Sequence, residues 1–178
     1  MLRKKLGAMF IAAATMLATA ASVLPAHAAN NPSRSETSFP VSWTVESANC
    51  TQIPAGTTVT GSGTMRVVTT TRVDVGGVQH ERIDAHAEGS AVDQAGNQYS
   101  FRYDNILIIK NSLARPQVFN GLMVDAFGLH GHGPAAMTNG FTADFTEDRD
   151  ALTAAITPRS VRGDPFAFPD IGGRCDPL

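Results

Sequence analysis

Hydrophobic and polar residues alternate through three consecutive segments between residues 57 and 110. Small or apolar residues, such as Val59, Ile83 and Phe101, take the odd positions, while Thr, Ser, Arg, His and acidic residues take most of the even ones. A period of two is that of a β-strand with one buried face. The pattern predicts three neighbouring strands whose odd-numbered side chains form the interior.

The links between these segments predict tight turns. Facing residues of antiparallel strands share one side of the sheet, so a loop that joins odd to odd positions must have an odd number of residues. Residues 74–77 (Asp-Val-Gly-Gly) and 93–96 (Asp-Gln-Ala-Gly) both begin with Asp and end with Gly. That chemistry suits a type I turn followed by a left-handed residue, in a three-residue loop that sets Asp93 opposite Asn97.

The resulting register matches small residues to aromatic ones on the odd face. It places Gly89 opposite Phe101, and each small residue leaves room for a ring on the next strand. The further pairs are Ala87 with Tyr103 and Ala91 with Tyr99. Packing and turn chemistry therefore predict the same strand pairing.

The same register predicts a polar cluster on the even face: His86, Asp104, Glu88 and Arg102, with Arg66 close by. Asp104 beside His86 could orient an imidazole as a general base, which makes these two the candidate catalytic residues of a hydrolase or cyclase. The sequence has no Gly-x-Ser-x-Gly nucleophile motif. Alternating charges on an exposed sheet are also ordinary cross-strand pairs, and we favour that interpretation.

The start of the chain has the pattern of a secretory signal peptide. Residues 3–5 are basic, residues 6–24 are mostly apolar, and Ala-His-Ala at 26–28 is a small-x-small cleavage site. We therefore expect a signal peptide at 1–28, a disordered lead-in at 29–38 and one β domain at 39–178. The expected location is extracellular or periplasmic.

Charge and cysteines narrow the class of protein. Without the three basic residues of the leader, 14 − 3 = 11 basic residues face 16 acidic ones, a formal charge of 11 − 16 = −5. An acidic chain argues against nucleic-acid partners, and no second apolar run is long enough to span a membrane. Cys50 and Cys175 in an exported chain predict one disulfide.

Further strands are predicted on either side of the central three. Residues 39–46 alternate and place Trp43 in the core, and residues 141–146 alternate again. Residues 118–129 are apolar at odd and even positions, which suits a strand covered on both faces. Residues 151–157 are compatible with a helix or a strand, and Pro158 is expected to end either.

Asp125 lies among apolar residues on the odd side of its segment. A carboxylate in that setting most often bonds a neighbouring backbone group or an Arg, and the alternative is a polar group lining a ligand cavity. The candidate ligand-binding residues are the inward aromatic ones and this acid: Tyr99, Phe101, Tyr103, Asp125 and Phe127.

His130 and His132 have a spacing that could supply two zinc ligands, but no third ligand is marked and the surrounding residues are Gly-rich. We favour a flexible loop there. Phosphate loops, dinucleotide fingerprints, EF-hand loops and His-Glu-x-x-His helices are absent from the sequence. We therefore expect no cofactor.

Three segments, at 61–73, 95–105 and 162–166, resemble a group of small exported bacterial proteins with a β-meander. The resemblance implies export and an all-β class, and it implies no activity.

Together these patterns predict an antiparallel meander closing into a barrel of seven or eight strands, with a β-sandwich as the alternative. By analogy with lipocalin-like folds, the first function hypothesis is binding of a small apolar molecule or lipid. The second is the hydrolase or cyclase, and the third is a secreted surface interaction module. We lean away from an enzyme.

Overall fold

The computed structural model describes residues 32–112, 114–163, 175 and 178. These residues form one seven-stranded antiparallel sheet in sequence order. The strands are β1 (Ser33–Glu46), β2 (Thr58–Val73), β3 (Val78–Asp93), β4 (Gln98–Ser112), β5 (Val118–Gly131), β6 (Met137–Asp148) and β7 (Thr153–Arg162). The structure confirms the all-β meander. The sheet is open, since β1 and β7 are its two edges, and the described strands do not close into the predicted barrel.

The register predicted for the central strands is confirmed. Gly89 faces Phe101, Ala87 faces Tyr103 and Ala91 faces Tyr99. Odd positions of β2 likewise face odd positions of β3. We call the side of the sheet that carries the odd-numbered residues of β1 to β6 the inner face, and the opposite side the outer face.

The two Asp-initiated turns fix this register. Asp93 Oδ1 accepts hydrogen bonds from the backbone N–H groups of Ala95 and Asn97, both at 2.9 Å. Asp74 Oδ1 does the same for the N–H groups of Gly76 and Val78. The last loop residue of each turn is a left-handed glycine, with φ of +73° at Gly77 and +83° at Gly96, as the sequence chemistry predicts.

The sheet is strongly curled towards its inner face. The Trp43 ring on β1 contacts Phe101 on β4 and Phe127 on β5 edge to face, at centroid distances of 5.2 and 5.4 Å. In a flat sheet β1 and β5 would lie about 19 Å apart, at roughly 4.8 Å per strand. The curl therefore folds the sheet over its own aromatic core.

Glycines in this core allow the rings to lie against the backbone. A Cβ at Gly61 would overlap the ring of Trp43, its cross-strand partner. A Cβ at Gly89 would overlap the backbone of β2 and the ring of Phe101. The small-to-aromatic matching thus positions the rings and brings neighbouring strands close together.

The segment between β1 and β2 closes one end of the curled sheet. Cys50 forms a disulfide with Cys175, with the Cα atoms 4.6 Å apart, which confirms the predicted pair. Gln52 reaches β6, where its Oε1 accepts a hydrogen bond from Thr138 N at 3.0 Å. Asn139 Nδ2 donates to the carbonyl of Cys175 at 2.6 Å.

Both edge strands differ from the sequence expectation. β1 begins at Ser33, so residues 33–38, expected within the disordered lead-in, pair with β2. β7 continues through Pro158 instead of ending there, and a bulge at this point interrupts its pairing with β6. Pro158 is tolerated because β7 is an edge strand, where a missing N–H can face away from the ladder. The ambiguous stretch 151–157 belongs mostly to this strand.

The predicted signal peptide, 1–28, lies outside the described residues, as do residues 29–31 of the lead-in. Within the described part of the chain, no helix has the length and hydropathy that a membrane crossing requires.

Candidate functional site

The inner face divides into two parts of different packing. The part we call the closed half is fully buried and consists of Trp43, Tyr99, Phe101, Tyr103 and Phe127. The part we call the open half is apolar but only half-buried, and consists of Ile83, Leu107, Ile109, Met123 and Phe145. Residues of the open half face one another across β3 to β6.

Four of the candidate ligand residues belong to the closed half. Tyr99, Phe101, Tyr103 and Phe127 are at most 7 % exposed. Phe101 and Phe127 stack at 6.1 Å, with the Trp43 ring set against both. The structure brings these residues together as the sequence predicts, but they are packed against one another as a core.

The fifth candidate, Asp125, lies where the closed half meets the open half. One of its oxygens, Oδ2, accepts hydrogen bonds from the Tyr103 hydroxyl and from Asn105 Nδ2, both at 2.8 Å. Its partners are therefore side chains of β4, and not the backbone group or Arg that the sequence analysis favoured. The other oxygen, Oδ1, is buried and has no hydrogen-bond partner among the described residues.

A second acidic residue, Glu81, belongs to the same face and was missed by the sequence analysis. It lies on β3 between Thr71 of β2 and Ile109 of β4. Burial raises the pKa of its carboxyl group, because the charged form loses hydration. The signal was present in the sequence: Glu81 is an acidic residue at an odd position, in phase with Ile83.

Basic residues are absent from the described inner face of β1 to β6. Every Arg, Lys and His in these strands has an even number and so belongs to the outer face: Arg34, Arg66, Arg72, His80, Arg82, His86, Arg102, Lys110 and His130. Arg149, which follows β6, lies over the inner-face ring of Phe119 and pairs with the inner-face Glu147, with its Nε 3.1 Å from Oε1. The described strands β1 to β6 themselves therefore supply no basic partner for Asp125 or Glu81 on their own side of the sheet.

The predicted polar cluster forms on the outer face. His86 Nδ1 lies 2.8 Å from Asp104 Oδ1, and Arg102 Nε donates to Asp104 Oδ2 at 2.6 Å. Glu88 Oε2 lies 3.6 Å from His86 Nε2. Arg66 is the cross-strand neighbour of His86, but its guanidinium pairs with Glu36 on β1, with Nε 2.7 Å from Oε1. The pKa of the Asp104 carboxyl group is lowered mainly by its hydrogen bond with Arg102 and to a smaller extent by the one with His86.

This cluster can orient an imidazole, as the enzyme hypothesis requires. In the described part of the chain, the hydrogen bonds and ion pairs of His86 go to carboxylates and to no hydroxyl or thiol. A hollow on the outer face includes Glu88 and Arg102 in its lining but neither His86 nor Asp104. The geometry is that of cross-strand ion pairs on an open surface.

His130 and His132 lie at and just beyond the end of β5, and both are exposed. Over the residues that the structure covers, no three His, Cys, Asp or Glu side chains come together in a group able to hold a metal ion.

No protein-family model matches the sequence, and no curated protein and no solved structure is similar to it.

Proposed function

We propose that the protein binds a small molecule with an apolar body on the open half of its inner face. The observation that carries the proposal is the half-burial of Ile83, Leu107, Ile109, Met123 and Phe145 on the concave side of the sheet. Contiguous exposed apolar surface on a soluble domain commonly marks an interaction site. Covering it contributes about 25 cal/mol for each Å² removed from water.

The position of the site follows from the contrast with the closed half. The aromatic rings of the closed half already contact one another, so a ligand there would have to displace core packing at a cost of roughly 1 to 3 kcal/mol or more. The open half offers apolar contacts without that cost. Met123 adds an unbranched, adaptable side chain beside Asp125.

Export and barrel geometry are part of the same proposal. The disulfide fits an oxidising compartment, which supports the extracellular or periplasmic location inferred from the leader. The sheet curls enough to place Trp43 on Phe127. This curl supports a half-open barrel as the form in which the ligand is held.

Two adjacent residues of β4 provide a matched test. Leu107 points into the open half and Ile108 points to the outer face, and both are half-buried. We expect Leu107→Gln to weaken binding of the fluorescent apolar probe N-phenyl-1-naphthylamine about tenfold or more, because the change places a polar amide in the apolar surface. Ile108→Gln should leave the affinity within about twofold.

Thermal melting of both variants controls for loss of the fold. Equal affinity losses in the two variants, or a loss in Ile108→Gln alone, would contradict the proposed site. In the second case, the outer face would be the binding surface, as expected of an interaction module. Absence of probe binding to the parent protein would reject the function itself.

A further inference from the structure

The charge pattern of the inner face carries information about the ligand beyond its apolar body. Asp125 is only 5 % exposed, and Glu81 is half-buried on the same face. Neither carboxylate has an ion pair in the described part of the chain, and the strands β1 to β6 carry no basic side chain on this face there. Arg149, just after β6, lies over Phe119 and is paired with Glu147. An uncompensated buried carboxylate is costly, and a cation is the partner that offsets the cost best.

Asp125 contributes the more specific feature. Oδ2 is bonded by Tyr103 and Asn105, which fixes the orientation of the carboxylate, while Oδ1 remains without a partner. Along β5 the next inward residue on the open side is Met123, which is half-buried. Met123 therefore separates Asp125 from the rest of the open half along β5, and its flexible thioether side chain can move to admit a ligand group.

Glu81 lies at the far side of the open half. It faces Ile109, which faces Gly121, four residues before Asp125 on β5. Two strand spacings and four residue rises place the Cα atoms of the two acids roughly 16 Å apart. One ammonium group could contact only one of them, so Glu81 acts on a ligand bound at Asp125 through its long-range charge.

The other buried polar atom without a partner in the described residues is Trp43 Nε1. It lies against Gly61 in the closed half, away from the open surface. It is also a neutral donor, whose desolvation costs less than that of a carboxylate. It therefore adds no second recognition group to the open half.

We propose that the ligand of the open half is an organic cation, with an amine or ammonium group on an apolar body. Its N–H groups donate hydrogen bonds to Asp125 Oδ1, and its apolar part lies along Leu107, Met123 and Ile83. This inference rests on the proposed function and adds the chemical class of the ligand. An anionic amphiphile such as a fatty acid would meet the two unpaired carboxylates, while Arg149, the base beside this face, is already paired with Glu147. The site therefore selects against it.

Three probes of equal chain length test the charge preference: decylammonium, decanol and decanoate. Binding to the full mature chain is measured by isothermal titration calorimetry at neutral pH and low salt, below the micellar concentration of each probe. We expect decylammonium to bind about tenfold or more tighter than decanol, since a hydrogen bond between two charged groups is roughly twice as strong as one between neutral groups. Decanoate should bind weakest.

Three isosteric variants assign the effect to residues. Asp125→Asn should weaken decylammonium about tenfold while leaving decanol within about twofold. Glu81→Gln should weaken decylammonium about threefold, and added salt should reduce this difference. Glu88→Gln removes one charge from the exposed outer face and should change neither affinity.

The outcomes separate the two proposals. If decanol and decanoate bind as well as decylammonium, or if Asp125→Asn leaves the preference unchanged, the cation inference is wrong while the apolar site stands. If Glu88→Gln weakens decylammonium as much as Asp125→Asn does, the amine binds through general charge attraction and the inference also fails. If none of the three probes binds the parent protein, the proposed function fails with it.

Discussion

The closed and open halves of the inner face are built from the same strands but stabilised differently. In the closed half, rings lie over glycines, the Cys50–Cys175 disulfide anchors the end of the sheet, and the Tyr99 hydroxyl donates to Asp93 at 2.9 Å. In the open half, apolar side chains are only half-buried, and Glu81 lies beside them without an ion pair in the described residues.

The difference indicates a division of roles. Packed rings, a covalent link and hydrogen-bonded turns hold the closed half in one register. The open half keeps half-exposed apolar surface and unpaired carboxylates. Neither feature stabilises the fold, and both suit the ligand-binding role proposed above. Local departures from consistent packing are expected where a protein binds something.

Removal of the disulfide should have the largest effect on stability. We expect the Cys50→Ser, Cys175→Ser double variant to lose about 2 to 4 kcal/mol of unfolding free energy, because the link closes a 125-residue separation in the unfolded chain. Urea denaturation of the parent and the variant measures the difference. Equal midpoints would show that the closed half does not depend on this anchor.

The second-largest effect is expected from Gly89→Leu, which should lower the free energy of unfolding by roughly 1 to 3 kcal/mol or more. The new side chain would collide with the β2 backbone and the Phe101 ring. Gly128→Leu is the matched control on the outer face, where a Cβ would meet only the flexible His130 ring. Thermal melting should show the inner variant to be clearly less stable. A similar loss in both would mean that the two faces are not packed differently.

Much of the closed half could be predicted from the sequence, because the sequence signals that specify it are local. Parity, Asp-initiated turns and the match of Gly89 to Phe101 all specify one register, and the structure has it. β1 begins earlier than predicted because residues 33–38 are polar at every position, so the ladder with β2 leaves no alternation to detect. The strand was predicted to end at Pro158, because the sequence does not show that β7 lies at the edge of the sheet, where a proline is tolerated.

The division between the halves could not be predicted, because it depends on the curl of the sheet. The sequence marks Tyr103 and Leu107 alike as inward residues, and only the contact of Trp43 with Phe127 shows which of them are covered. Glu81 was overlooked for a different reason. One acid at an odd position does not disturb an alternating pattern, so the sequence gives little warning of a half-buried carboxylate there.

The smallest effects on stability should be two pH dependences of opposite sign. The raised folded-state pKa of Glu81 stabilises the fold below its unfolded value, near 4.5, and this contribution is lost as pH rises through the folded value. Glu81→Gln should therefore stabilise the protein at neutral pH, and the gain should vanish in acid.

Asp104 should behave in the opposite way, because its pKa is lowered, mainly by its hydrogen bond with Arg102. Its contribution is present above the unfolded pKa and is lost as pH falls through the folded value. Asp104→Asn should destabilise at neutral pH and approach the parent in acid. Urea midpoints between about pH 3 and 8 measure both differences. Slopes of the same sign would contradict the contrast between Glu81, which has no ion pair in the described residues, and Asp104, which is paired with Arg102 and His86.

Two methionines offer the most direct test of the central claim that the open half is the binding surface. Met123 lies half-buried in the open half, and Met137 is 1 % exposed in the core. Methionine methyl groups labelled with carbon-13 can be followed by NMR while decylammonium is added to the mature protein. We expect a saturable shift of the Met123 signal with the Met137 signal nearly unmoved. A shift of Met137 with Met123 unchanged would place the ligand in the closed half and contradict this claim.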